Sequence, residues 1–295
     1  MRIAHLSDPH IFGNDRPSLR QLLQGKRLLG GLNWVFQRRR HHLASLFEDL
    51  CDDLRTQNPD HIAITGDLSN LGMLSEFRAA QTLLQKTGIP SSQFSIIPGN
   101  HDAYVADSVK NNLFFKVFSN RSAQNFDSFP FVHVRNDVAF IGVNTAVVCP
   151  LVWAYGRIDA AQLERFAEAL HDHRNRRRVV LLHHPPLPCR QDGLRGLRTR
   201  DAFQAIVQQH GCELILHGHE HRDLFSTLPG PSGRIPVIGV GSATYSDPRP
   251  DRRARYNMIT LRSTPVDGNW IASVETRVQH FKTRKFICYN KLFLQ

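Results

Sequence analysis

Five short apolar runs along the chain each end in a polar cluster. Ile3-Ala4-His5-Leu6 leads to Asp8 and His10, and Ile62-Ala63-Ile64-Thr65-Gly66 leads to Asp67. Phe94-Ser95-Ile96-Ile97 leads to Gly99-Asn100-His101-Asp102, and Val179-Val180-Leu181-Leu182 leads to His183 and His184. Leu214-Ile215-Leu216 leads to His217, His219 and His221. Runs of this length, bounded by Gly and Pro, predict buried strands. Each strand therefore delivers carboxylate, amide or imidazole groups at its carboxyl end.

Between the runs the period changes to that of a helix. Leu43, Leu46, Phe47, Leu50 and Leu54 share one face and predict a helix over about 42–56. A second helix is expected over 75–86, capped by Ser75 and followed by Gly88. A helix-rich connection runs through Leu113, Phe114, Val117 and Phe118. Strands are expected at 131–135 and 139–145, with a turn at Asn136-Asp137. A helix opens at Asp159, with Gln162 three residues on as in a capping box, and another spans 199–210 before Gly211. The tail reads as strands at 235–243, 256–262 and 270–280 without helices between them. Its last aromatic residues, Phe281, Phe286, Tyr289 and Phe293, are expected in the core, with edge-strand cover or an interface as alternatives. Strands alternating with amphipathic helices, then an antiparallel tail, predict an α/β fold of two packed sheets with helices outside. With neither repeat nor linker, 1–295 reads as one domain carrying an excursion at about 13–42.

Composition adds charge to this picture. Lys and Arg exceed Asp and Glu enough to give +11 at pH 7, which implies an anionic partner: nucleic acid, a phosphorylated molecule or an anionic lipid surface. The five cysteines are widely spaced without a CxxC pair, which argues against a disulfide framework or a cysteine zinc site and fits a reducing compartment. The opening strand leaves no room for a cleavable leader, and no run is long and apolar enough to span a bilayer. A cytoplasmic protein, soluble or peripheral on the inner face of the membrane, is expected.

In open α/β sheets chemistry gathers beyond the carboxyl ends of the strands. Asp, His and Asn donors suit Mn, Fe or Zn, and there are enough of them here for two ions, with a carboxylate such as Asp67 able to bridge. Two ions can hold a phosphoryl group and generate a nucleophile near neutral pH. No serine elbow, Walker loop or complete dinucleotide glycine pattern competes. Taken singly, each block is a common polar turn, and His5, His61 and His217 read as hydrogen-bonded core residues. His41, His42, His171, His173, His210 and His280 fit no block and are expected at the surface.

The blocks Asp8-Pro9-His10, Gly66-Asp67, Gly99-Asn100-His101-Asp102, His183-His184-Pro185-Pro186 and Gly218-His219-Glu220-His221 resemble, in order, those of the calcineurin-like metallophosphoesterase superfamily. The resemblance spans residues 8 to 221 and implies a four-layer αββα sandwich of two mixed sheets. It implies that Asp8, His10, Asp67 and His221 hold a first metal, and Asp67, Asn100, His183 and His219 a second. It also implies that His101 assists the leaving group, with Asp102 orienting its imidazole. The family pattern selects His183 as ligand, whereas spacing leaves His184 open. Some family members are scaffolds that have lost ligands, but every position is filled here.

Surroundings bear on the substrate. Residues 16–42 carry Arg16, Arg20, Lys26, Arg27, Arg38, Arg39 and Arg40 with no acidic residue, interleaved with leucines, Trp34 and Phe36. That mixture suits an anionic membrane surface, and it also suits a helical excursion packed on the body. Nucleic acid has the charge but no recognised module. The basic excursion is similar in character to that of peripheral UDP-2,3-diacylglucosamine pyrophosphatases. The His-His-Pro-Pro block is similar to that of cyclic-nucleotide or glycerophosphodiester phosphodiesterases. Metal-dependent phosphoester hydrolysis is the expectation, with a membrane-associated UDP-diacylglucosamine-type substrate as first reading and a soluble phosphodiesterase as the alternative. The sequence implies no oligomeric state.

Overall fold

The computed structural model describes residues 1–13, 42–263 and 270–294, and the excursion predicted at 13–42 falls almost entirely outside them. Among the described residues twelve strands form two six-stranded mixed sheets. The first has β1 (Arg2–Leu6), β2 (His61–Ile64) and β3 (Phe94–Ile96) in parallel. Antiparallel β10 (Arg255–Ser263), β11 (Trp270–Gln279) and β12 (Phe286–Leu294) extend it beyond β1. The second holds β4 (Phe131–Arg135), β5 (Val138–Gly142), β6 (Arg177–Leu181), β7 (Leu214–His217), β8 (Leu224–Gly230) and β9 (Gly233–Gly239). Its order is β4-β5-β6-β7-β9-β8, antiparallel only at the two edge pairs.

Alternation along the strands separates two cores. Phe140, Val179, Leu181, Leu214 and Leu216 face the first sheet and share a core with Ile3, Ile62, Ile64 and Ile96. That core takes in Leu50 and Leu54 of α1 (Ala44–Gln57) and Phe77 and Leu84 of α2 (Leu74–Gln85). The intervening residues Ile141, Val180 and Ile215 meet Phe166 and Leu170 of α5 (Ala160–Asp172) and Phe203 and Val207 of α7 (Arg200–His210). The short helices α3 (Ala106–Lys110), α4 (Phe115–Phe118) and α6 (Asp192–Arg195) lie in connections. The core histidines behave as expected. His61 bonds the Ser95 hydroxyl and stacks on Phe140, and burial pushes its pKa down to about 3.

Three local expectations change. Ser75 does not cap α2; the buried Glu76 carboxylate accepts the backbone N–H groups of Asn70, Leu71 and Met73 instead. Asp159 caps α5 by accepting from Gln162 N at 2.8 Å, but the Gln162 amide turns away to pair with the Asn144 backbone. In the tail, Phe286 is buried while Phe281, Tyr289 and Phe293 are exposed. β12 is an edge strand, so the residues on its outer side have no layer to cover them.

Glu76 also links stability to pH. Burial raises its pKa from the ordinary 4.5 to about 7, against the pull of its three N–H donors. The native state thus keeps a proton that the unfolded chain has released, and stability falls as pH rises from about 4.5 to 7. Glu76→Ala should cost about 3 kcal/mol by leaving backbone donors unpaired, and should flatten that slope. Urea unfolding of both proteins at pH 5 and pH 8 measures the two effects.

Candidate metal centre

Strand register brings the polar clusters together. Leu6 pairs with Ile64, and Ile64 with Ile96, so the first three strands end side by side. Asp8, Asp67 and Asn100 therefore leave the first sheet at neighbouring points. In the second sheet Leu181 pairs with Leu216, which sets His183 beside the 217–221 turn. Several bonds tie the sheets at this edge. His183 Nδ1–H donates to Thr65 O at 2.6 Å, and His219 N–H donates to the Asp8 carboxylate at 3.0 Å.

The backbone is strained where the chemistry is. Asp8, His10, Asp67, His219 and His221 all have φ between 45° and 73°, in the left-handed region that non-glycine residues rarely occupy. Gly99 serves close approach. A Cβ there would run into the Asp67 amide and carboxylate, so the 67 and 99–102 turns could not touch.

The seven predicted ligands meet in two overlapping groups. His10 Nε2 lies 3.2 Å from His221 Nε2 and 3.8 Å from carboxylate oxygens of both Asp8 and Asp67, and His221 Nε2 lies 3.1 Å from Asp8 Oδ1. His183 Nε2 lies 3.5 Å from Asp67 Oδ2, 3.2 Å from Asn100 Oδ1 and 3.3 Å from His219 Nδ1, which is itself 3.0 Å from Asn100 Oδ1. Asp67 belongs to both. Apart from His221, these side chains are buried.

Tautomers agree with a cation between them. His10 and His183 spend their Nδ1 protons on the carbonyls of Ser69 and Thr65, so their lone pairs turn inward. His184 has no nitrogen to spare. Nδ1 pairs with Thr145 Oγ1 at 2.8 Å and Nε2 with Ala154 O at 3.1 Å, and burial followed by the neighbouring His183 lowers its pKa to about 3. Geometry therefore points to His183.

Electrostatics favour a cation too. Burial alone would raise the Asp67 carboxyl, but His183 and His101 pull it well below the usual carboxylate range. Burial alone would lower His183, and the Asp67 and Asp8 carboxylates raise it to about 9. Among the described residues the buried His219 Nε2 has no hydrogen-bond partner, and Asp8 Oδ1 has only the imidazole of His221 beside it. A buried cluster of two carboxylates, an amide oxygen and imidazole nitrogens within a few ångströms of one another suits metal ions.

Two residues depart from their expected roles. The Asp102 carboxylate does not reach the His101 imidazole; it accepts from Gly99 N–H, Leu68 N–H, Ser69 N–H and the Ser69 hydroxyl. His101 Nδ1–H donates instead to Asn70 O at 2.7 Å, and its ring stacks on Tyr104. His42, expected at the surface, is 5% exposed and packs 4.8 Å from His10, ring centre to ring centre. No apolar run precedes it, so nothing in the sequence marked it.

The profile of the family described as calcineurin-like phosphoesterase matches residues 1–223, and the chain belongs to that family. That family is one of phosphoesterases, and the clustered donors form groups that could hold metal ions. Among relatives, the chain is 27% identical over 245 residues to a cAMP/cGMP dual specificity phosphodiesterase of Mycobacterium tuberculosis, covering 82% of this chain and 67% of that one. It is also 27% identical over 281 residues to a 3′,5′-cyclic-nucleotide phosphodiesterase of Nostoc, covering 92% and 91%. A shorter match, 35% over 69 residues, joins it to a UDP-2,3-diacylglucosamine hydrolase of Aeromonas salmonicida, covering 21% and 27%. The crystal structure of a dimetal phosphatase from Danio rerio shares the fold, with a TM-score of 0.66 at 12% identity over 99% of this chain and 98% of that one.

Asp102 should prove structural. Asp102→Ala unpairs four donors and should cost about 3 kcal/mol or more in thermal or urea unfolding, with loss of bound metal as the 67–70 and 99–102 turns separate. An Asp102→Ala protein that keeps full stability but shows a shifted pH–rate profile would return Asp102 to His101 as its orienting partner.

Proposed function

We propose that this chain is a two-metal phosphodiesterase acting on 3′,5′-cyclic nucleotides. The observation that carries the reading is the double ligand cluster opening beside a cavity of about 590 Å³, lined by His221, Arg195, Arg222, Arg252 and Tyr245 among others. That volume suits a nucleotide-sized molecule, and arginines with a tyrosine suit its phosphate and its aromatic base. The relatives named as cyclic nucleotide phosphodiesterases, matched over most of this chain, support the substrate class.

Asp8, His10, Asp67 and His221 hold the first ion in this reading, and Asp67, Asn100, His183 and His219 the second. The bound ions supply a nucleophilic water at neutral pH and offset charge on the phosphoryl oxygens. His101 works on the other side of phosphorus. Asn70 O keeps a proton on Nδ1, and a second proton taken up at Nε2 would pass to the departing 3′ oxygen as the water oxygen bonds to phosphorus and the P–O3′ bond breaks, the proton released by that water returning to the imidazole through solvent. The product is the 5′-monophosphate. Arg195 steadies the anion: one guanidinium nitrogen bonds His219 O, and its buried Nε has no partner among the described residues.

His101→Gln should lower kcat by about 10²–10⁴-fold while metal content is unchanged. With Mn added, cyclic AMP should be turned over at least about tenfold more efficiently than a UDP-linked acyl sugar, the margin of about 1.4 kcal/mol that separates the readings. The second reading, a pyrophosphatase on a UDP-acyl-sugar lipid precursor, draws on the Aeromonas match and on the basic, aromatic stretch at 16–42. The reverse ratio would put it first.

Membrane attachment through 16–42 is a separate element of the proposal. Among the described residues no helix is long and apolar enough to cross a bilayer, so attachment would be peripheral. The protein should co-sediment with anionic liposomes, and changing Arg38, Arg39 and Arg40 to Glu should release it. Sedimentation indifferent to both salt and these changes would overturn that element.

A further inference from the structure

We propose that His42 is a further ligand of the first metal position, making it a three-imidazole site with His10 and His221. This rests on the reading of Asp8, His10, Asp67 and His221 as ligands. One potential ligand atom each from His10, His42 and His221 lies within 4.8 Å of the others. The ring of His42 is edge-on to His10 at 4.8 Å and to His221 at 5.9 Å between centres.

Hydrogen bonding fixes which nitrogen of His42 can act. Nδ1 sits 2.9 Å from Thr244 Oγ1 and 3.5 Å from Ser242 Oγ. Both hydroxyls already spend their protons on backbone carbonyls, Thr244 on Pro9 O at 2.6 Å and Ser242 on Asp8 O at 2.7 Å. Toward His42 they can only accept, so Nδ1 carries the ring proton. In the neutral ring Nε2 then carries the lone pair, the form that binds a metal. His10 and His183 are prepared in the same way, their Nδ1 protons held by main-chain carbonyls.

The fold also holds His42 in place. It forms an antiparallel bridge with Tyr245, and Leu43 N–H donates to Thr244 O. Thr244 and Ser242 follow β9, and their hydroxyls bond the backbone of Asp8 and Pro9, so one small network orients Asp8 and His42 together. An imidazole beside His10 and His221 would add one more neutral nitrogen donor to that ligand set. A third imidazole tilts the site from Mg and Mn toward Fe, Co or Zn.

The test is metal binding itself. Metal-free wild type, His42→Ala and His42→Phe are titrated with Co²⁺ while heat of binding and the visible absorption of the ion are followed. His42→Ala should weaken one of the two ions by at least about tenfold, leave the other unchanged and alter the Co²⁺ bands. His42→Phe, which restores bulk without a nitrogen, should behave the same way, and free imidazole should restore affinity to the alanine variant. The proposal is overturned if affinity and spectrum match wild type, if phenylalanine restores binding, or if both ions weaken together with a lowered melting temperature of the metal-free protein. Wild type binding no Co²⁺ would instead overturn the metal reading of the whole cluster, which keeps the two failures apart.

Discussion

Everything at this site depends on placing the Asp67 carboxylate, fully charged, inside the protein. One oxygen accepts the His101 amide at 2.7 Å and the other lies among His10 and His183. A lone buried carboxylate would take up a proton or draw in water. Surrounded by imidazoles and a backbone donor, it stays an anion and becomes the point about which two ligand groups are arranged. Its own backbone is left-handed, and so are those of Asp8, His10, His219 and His221. Such strain persists only where surrounding contacts over-determine the conformation.

Those contacts are mostly donors turned onto main-chain carbonyls. Asn70 is the clearest case: its amide donates to His10 O and Ile11 O, its carbonyl takes the His101 proton, and its own N–H rests on Glu76. Asp102 works the other way, its carboxylate accepting main-chain N–H groups of the 67–70 and 99–102 turns. Two buried carboxyls that bind no metal in this reading thus hold the loops that present the ones that do. Burial raises both to about 7, and for Asp102 the nearby Asp67 charge adds to it. The rigidity of the centre and its proton affinity have a common origin in dry packing.

Much of this was legible along the chain. Apolar runs ending in Asp, Asn and His marked the strands and the seven side chains that cluster beyond them, because a buried strand has a short period and its exit is the first place a polar group can stand. Helix faces in α1, α5 and α7 were legible for the same reason. Edge strands were not. β8 exposes much of its surface and lacks the apolar run that announces a buried strand, and β12, though it opens on Phe286-Ile287-Cys288-Tyr289, is exposed along most of its length. The aromatic residues of the tail were misplaced in the core because aromaticity carries no information about which layer covers a strand. Residues 14–41 lie outside the described residues, so the reading of the basic stretch stays one of sequence.

The sequence by itself determined the chemistry available, since residue type decides donor hardness and charge, and local period decides which side chains leave a strand end. Tertiary structure alone decided the partnerships. Pairing Leu6, Ile64 and Ile96 across one sheet, and docking the second sheet so that His183 reaches Thr65, sets residues more than a hundred positions apart within a few ångströms. That docking gives His183 and His184 different partners and brings His42 in from a basic stretch to the edge of the cluster, while pairing within the first sheet gives Asp102 to the turns and not to His101. Each of those outcomes turns on where a single proton or lone pair points, and that direction is set by neighbours distant in sequence.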